Sequence, residues 1–518
     1  MKTTITILLA SASLLLGATA WAANSDSGRA PVAEPQATPK VTQSITTGSV
    51  TVEGHKIDYT ATAGTIILNN RQGQPIGSMF YVAYVKRGVS NESQRPITFF
   101  YNGGPGSSTI WLHMGAFGPW RIVTSDHTHT PAAPYTLVNN DYSLLDVTDE
   151  VFIDAMSTGY SRILGKARGG VGTSKDFYGF DPDVRSFAQF IMRYMTENNR
   201  WNSPKYLYGE SYGTLRSELL ANYLEQEDDV DLNGVVLQSA YTGSRVVLHP
   251  SDVYFETNLP TYAAVAWYHH KLPNEPAALP PFLQQVEQFA SHQYILALNA
   301  GNSLGPGELT AIAEKLHDYT GLSTAYIEKS GLRIRNRDFR HALLGEVDQT
   351  VGDLDGRFAG PSMDPLSQAA QYDPQSAAIS SAYVAGFNYY VHNILKYGRD
   401  QHYRPEAYNI VTSWPRKHIN LVTGRPVIPF NAGVDLAQAM KYNPKLQIEV
   451  DMGYFDLNLP FGGMLYSINH LKIPEDLQSH IHEEFYYSGH MIYVHVPALK
   501  TLHDNTAAFI RGSDNLRG

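Results

Sequence analysis

The pentapeptide Gly209-Glu210-Ser211-Tyr212-Gly213 lies between an apolar run, Lys205-Tyr206-Leu207-Tyr208, and a helical pattern over residues 216–225. That order constrains the chain more than any other feature. A serine with glycine two residues away on either side can occupy a sharp strand-to-helix turn, where its hydroxyl is exposed and the backbone is cramped. Such a turn needs a buried strand, so the rest of the chain has to supply a sheet covered on both faces. Residues 97–101, 151–154 and 232–238 read as further buried strands, with a helix over 182–196 between them. Strand patterns resume at 446–452 and 485–488. The expected fold class is α/β, with a mostly parallel central sheet flanked by helices.

Ahead of this alternation, short segments at 50–52, 57–59, 65–68 and 79–82 predict an N-terminal antiparallel meander. Between residues 243 and 400 strand signals nearly vanish, and 282–296, 307–319 and 376–395 read as helices. The domain reading is therefore a core in two parts, 46–242 and 401–518, with a helical cap, 243–400, inserted between them. Lys2, the apolar run from Ile5 to Leu16 and the Ala20-Trp21-Ala22 site predict an export signal over 1–22. An Ala-, Pro-, Ser- and Thr-rich leader follows over 23–45. The apolar run is too short and too interrupted to span a bilayer, so the expected mature protein is exported, periplasmic or secreted, with no membrane partner.

Composition removes several function classes. The net charge is −10 with no basic block, so a surface for nucleic acid has no source. With zero Cys, thiol catalysis and thiolate metal sites are excluded, and the fold has to hold without disulfides. Hydrophobic residues at 43% are enough to bury a large core instead. Oligomeric state has no signature here.

Three further stretches complete a nucleophilic site. Asn102-Gly103-Gly104-Pro105-Gly106-Ser107-Ser108 follows a strand, and its Gly pair lets backbone amides approach a substrate oxygen. The Tyr212 amide, at a new helix start, supplies a second donor for an oxyanion. His490 follows a strand end and a Gly turn, and Asp456 lies just after the strand ending near Met452. From spacing alone, Asp451 is an alternative to Asp456. The order Ser, Asp, His is that of the α/β-hydrolase fold.

Residues 102–119, the elbow at 209–213 and Ser488 to His490 resemble the serine carboxypeptidase family in its bacterial, exported form. Asp141-Tyr142-Ser143, Asp154, Gly159, Tyr160 and Ser161 resemble it too. The resemblance implies Ser211 as nucleophile, His490 as general base and acid, and Asp456 as its orienting carboxylate. It implies an oxyanion hole from the amides of Gly104 and Tyr212. It also implies that Asn102, Gly103 and Glu210 bind the substrate's C-terminal carboxylate, with Glu210 protonated. Three positions depart from the family pattern. Ala116 stands where a second Glu is usual, Ser107 replaces a Cys, and Asp456-Leu457-Asn458 is more compressed than the usual Asp block.

Other motifs carry less. His480 and His482 with Glu483 and Glu484 lack an H-E-x-x-H spacing, and no metal is expected. Asp353-Leu354-Asp355-Gly356 lacks the full calcium ladder and reads as a turn. Residues 169–175 have the wrong spacing for a phosphate loop. His269-His270 and the Tyr-rich stretch 383–390 read as cap packing. The expected function is a cofactor-free serine peptidase, carboxypeptidase-like, acting on peptides through an acyl-enzyme. The alternatives are an esterase or acyltransferase on the same triad, and a non-catalytic binding protein on this scaffold.

Overall fold

The computed structural model describes residues 39–244 and 250–516, so the expected export signal and most of the expected leader lie outside the described residues. Strand β1 (Gln43–Val52) begins inside the stretch read as leader. It pairs antiparallel with β2 (His55–Asn69), and β2 with β3 (Pro75–Lys86). These are three long strands where four short ones are expected. The gap between the expected segments at 57–59 and 65–68 is filled by Thr60-Ala61-Thr62-Ala63, whose alternation is carried by small side chains. Ala61 and Ala63 are buried while Thr60 and Thr62 are half-buried, so the period of 2 is present without bulky residues to announce it.

The remaining strands of the main sheet are β4 (Ile97–Tyr101), β5 (Asp149–Ile153), β6 (Arg162–Ile163), β7 (Lys205–Glu210), β8 (Gly234–Gln238), β9 (Gln447–Gly453) and β10 (Ile481–Tyr486). The sheet runs β1-β2-β3-β5-β4-β7-β8-β9-β10, with β6 beside β3. From β5 to β10 every pairing is parallel. Every residue of β4, β5 and β8 is buried, as expected where helices cover both faces. β10 starts four residues ahead of its expected position, because its early residues are polar at an exposed edge.

Two apolar cores lie on the two faces. Ile97, Phe99 and Tyr101 join one, with Phe187 and Phe190 of α1 (Phe180–Glu197) and Leu215 and Leu219 of α2 (Tyr212–Glu227). Phe100 points to the other, which includes Leu112, Phe117, Leu499 and Leu502. Between β8 and β9 come α3 (Asp252–Tyr268), α4 (Leu279–Phe289), α5 (Pro306–Thr320) and α6 (Pro374–Asn393), with shorter helices and a hairpin. This helical stretch has no separate core. Leu259, Val265 and Leu283 belong to the first cluster, while Ile379 and Tyr383 belong to the second.

The parallel strands place their carboxyl ends side by side, and in open α/β sheets that is where ligands bind. Residues Asn102 and Ser211 follow the ends of β4 and β7 there. Residues 398–407 cross the same end, bridging Gly159 to Arg404 and Ser107 to Glu406. Among the described residues, no helix is long and apolar enough to cross a membrane.

Candidate active site

Ser211 has φ 62° and ψ −130°, between β7 and α2. Such a conformation costs a non-glycine residue about 1–3 kcal/mol and persists only where the surroundings enforce it. Here the enforcement is close packing. A Cβ on Gly209 would meet the Gly213 carbonyl oxygen at 2.3 Å, and one on Gly213 would meet that of Tyr101 at 2.8 Å. The Ser211 amide donates to the Gln238 carbonyl at 3.1 Å, fixing the turn to the next strand.

The glycine-rich loop after β4 presses against this elbow. A Cβ on Gly103 would lie 2.3 Å from the Tyr212 amide nitrogen, and Gly104 has φ 105°. Tyr212 opens α2, so its N–H has no acceptor within the helix. Arg216 of α2 holds the loop by donating from Nη1 to the Asn102 carbonyl at 2.9 Å, and its Nε pairs with Asp183 at 2.8 Å. Asp154 accepts from the Thr109 amide at 2.8 Å on the loop's far side. The Asn102 Oδ1 accepts from the Leu112 amide at 3.1 Å, and its side chain also stands close enough to Glu210 and Tyr493 to favour their charged forms.

His490 Nδ1 lies 2.8 Å from Asp456 Oδ2. Asp456 Oδ1 accepts from the amides of Asn458 at 3.0 Å and Leu459 at 2.9 Å, so the compressed block wraps its own carboxylate. Asp451 has another partner, the Tyr486 hydroxyl at 2.8 Å. Burial by itself would lower the His490 pKa, but the Asp456 charge and hydrogen bond, with Glu210 and Asp353 beyond, raise it to about 9. Burial also raises Asp456, against the opposing pull of His490. The His490 backbone is clamped on both sides: its amide donates to the Leu354 carbonyl at 2.6 Å, and its carbonyl accepts from Ser239 Oγ at 2.6 Å.

Ser211 stands between two cavities. One, of about 250 Å³, is lined by Asn102, Gly103, Gly104, Glu210, Ser211 and His490, among others. The other, of about 580 Å³, is walled by Phe180, Tyr212, Tyr241, Trp414 and Phe430. In the first, Glu210 Oε2 accepts from the Tyr493 hydroxyl at 2.8 Å and from Gln238 Nε2 at 3.2 Å. Burial pushes the Glu210 carboxyl up to about 7, despite His490 and Tyr493 pulling the other way. Ala116 is fully buried and lines neither cavity, and its carbonyl accepts from Asn140 Nδ2. Among the described residues, Glu53, His503 and Asp504 are close enough to share a metal, and none of them lines either cavity.

Several residues of the site carry no sequence signal. Tyr493 and Gln238 meet Glu210 from different elements. Asp355, inside the stretch read as a turn, accepts from the Gly489 amide at 3.2 Å and pairs with the buried Arg357 at 2.6 Å, bracing the turn before His490. Its acidic pattern is visible in sequence, but its partner 134 residues away is not.

The family model described as serine carboxypeptidase matches residues 57–274, the segment holding the glycine-rich loop and the elbow. Kex1Δp, a prohormone-processing carboxypeptidase from Saccharomyces cerevisiae, superposes with a TM-score of 0.53 at 16% identity, covering 88% of this chain and 91% of its own. That likeness supports the fold. A lipase in its open form (TM-score 0.33, 12% identity, 87% and 99% covered) and a proline iminopeptidase from Mycobacterium smegmatis (0.32, 9%, 90% and 99%) are too distant to add to it. Over residues 57–274 the chain matches the serine carboxypeptidase family model, and it shares the fold of the carboxypeptidase Kex1Δp.

Proposed function

We propose that the protein is an exported serine carboxypeptidase, releasing the last residue of a peptide through an acyl-enzyme on Ser211. The observation that carries this reading is a single cavity in which the buried Asn102 amide and the buried Glu210 carboxyl stand beside Ser211 and His490. The side-chain amide of Asn102 is a donor that a substrate carboxylate can accept from. Glu210, pushed up to about 7, carries a proton in acidic and near-neutral solution and can donate the second hydrogen bond.

With the terminal carboxylate so held, Ser211 Oγ attacks the carbonyl carbon of the last peptide bond as His490 takes the hydroxyl proton. The amides of Gly104 and Tyr212 stabilise the negative charge on the carbonyl oxygen. His490 then gives its proton to the leaving amine, and the C–N bond breaks to leave an ester on Ser211. Water, deprotonated by His490, cleaves that ester and restores the serine. Asp456 holds the imidazole with Nε2 toward the serine and favours its charged form. The larger cavity, with its aromatic walls, receives the acyl side of the peptide. The signal pattern over residues 1–22 supports export.

The test is incubation of the mature protein with a mixed peptide library at acidic and neutral pH, read by mass spectrometry. Loss of single C-terminal residues, abolished in Ser211→Ala, is expected. Cleavage that persists when the C-terminal carboxylate is amidated would sink the exopeptidase reading. No peptide cleavage, with Ser211 still labelled by a fluorophosphonate, would instead favour an esterase or acyltransferase.

A further inference from the structure

The cavity that holds Glu210 has a second carboxyl group, Glu406, on its wall. Glu406 comes from the chain crossing the carboxyl end of the sheet, some 300 residues beyond the loop it touches. Its backbone is fastened to that loop by three contacts: it bridges to Ser107, the preceding Pro405 carbonyl accepts from the Ser108 amide at 2.9 Å, and the following Ala407 amide donates to the Gly106 carbonyl at 2.6 Å. Even the glycine at 106 belongs to this join, since a Cβ there would meet the Ala407 oxygen at 2.9 Å. The side chain is therefore carried by the loop that also holds Asn102 and Gly104.

Glu406 is exposed at the cavity rim, and the Tyr408 hydroxyl donates to its Oε1 at 3.2 Å. Among the described residues, no Lys or Arg side chain lines the cavity, and the positive group nearest the chemistry, His490, is engaged by Asp456. An anchored carboxylate facing a cavity without a fixed counter-charge favours a cationic ligand group. The aromatic faces of Trp111 and Tyr408 and the side chain of Ile379, on the same walls, suit an alkyl stem that ends in such a group.

We propose that Glu406 is a specificity-determining residue that selects peptides ending in Lys or Arg, its carboxylate pairing with the side-chain cation of the residue to be released. This rests on the carboxypeptidase reading, which places the terminal carboxylate at Asn102 and Glu210 and so directs the terminal side chain into the rest of the cavity. Deep in the cavity the peptide meets neutral donors. At the rim it meets one negative charge.

The experiment compares kcat/KM at neutral pH for peptides identical except for a C-terminal Lys, Arg, Leu or Glu, using the wild type, Glu406→Gln and Glu406→Lys. A partly exposed ion pair gives the wild type a preference for Lys over Leu of about twofold to fivefold. Glu406→Gln is expected to remove that preference, and Glu406→Lys to turn it toward C-terminal Glu. Circular dichroism confirms that both variants fold. An unchanged Lys-to-Leu ratio in Glu406→Gln overturns the assignment. So does an equal loss on all four peptides, which would make Glu406 a partner of Glu210 at the terminal carboxylate. Release of Leu without any Lys preference in the wild type defeats this inference alone. Failure to release any residue, with Ser211 still reactive toward a fluorophosphonate, defeats the carboxypeptidase reading along with it.

Discussion

A methyl group on Gly103 would come within 2.3 Å of the Tyr212 amide nitrogen, so the loop after β4 and the start of α2 are packed as tightly as backbone allows. The same two segments carry the amides assigned to the oxyanion. Gly103→Ala has to push them apart, while the buried Arg216, bonded to the Asn102 carbonyl, resists the movement. The expected result is a fall in kcat of about 10²–10³, the loss typical of one misplaced oxyanion donor. Steady-state kinetics on an ester substrate, with circular dichroism to confirm folding, checks this. A variant with near wild-type kcat would mean that these amides do not hold the oxyanion.

Asp456 and Asp451 are both buried, but only Asp456 reaches His490, at 2.8 Å. Asp456→Asn is expected to lower kcat by about 10³–10⁴, because the amide no longer holds the imidazole in its productive tautomer. Asp451→Asn should retain most activity and change stability instead, since its carboxyl bonds to Tyr486. The reverse pattern would reassign the orienting acid.

Above about pH 7, where Glu210 ionises, its negative charge adds to the larger effect of Asp456 in raising the pKa of His490. Glu210→Gln removes that charge, so the His490 pKa falls and the acid limb of the kcat/KM profile moves to lower pH. The profile should be measured on an ester without a free carboxylate, so that substrate binding does not depend on residue 210. An unmoved acid limb would show that the two groups are not coupled during turnover.

Stability should fall as pH rises. Burial raises the carboxyls of Glu218 and Glu449 well above their ordinary value of 4.5, and those of Glu225 and Asp451 to about 8. The folded state therefore holds protons that the unfolded chain releases. Their contribution is complete below the unfolded carboxylate range and is lost as pH climbs toward the folded values. His418 and His490, both raised to about 9, act in the same direction above neutrality. His113, lowered to about 3 by burial, opposes them only below its unfolded value of 6.5. Scanning calorimetry should give a Tm that declines from acidic to alkaline pH, and a flat or rising Tm would contradict it.

Among the described residues, neither carboxyl oxygen of Glu218 has a hydrogen-bond partner. Glu218→Met, on the buried side of α2, is expected to stabilise the protein by about 1–3 kcal/mol in alkaline solution, where the carboxyl has to ionise or withhold a proton from water. Urea unfolding at acidic and alkaline pH separates this from simple repacking, which would be independent of pH.

By itself the sequence determined what local backbone chemistry can encode. The serine between paired glycines, the Asn-Gly-Gly loop and the buried parallel strands are short-range patterns, and each sits within a few residues of where it acts. The chain order Ser211, Asp456, His490 is likewise legible, because each of the three residues follows its own strand pattern. Tertiary structure alone separated Asp456 from Asp451. Both follow the same apolar run, but Asp451 is still within β9 under Tyr486, while Asp456 lies beyond the strand end where the 488–490 turn comes down on it. It also decided the company that Glu210 and His490 keep. Asp355, Glu406 and Tyr493 reach the site from distant points in the chain, with no periodicity linking them to Ser211. Which side chains converge on a cavity depends on how helices and loops close over the sheet, and that closure is set by packing across hundreds of residues.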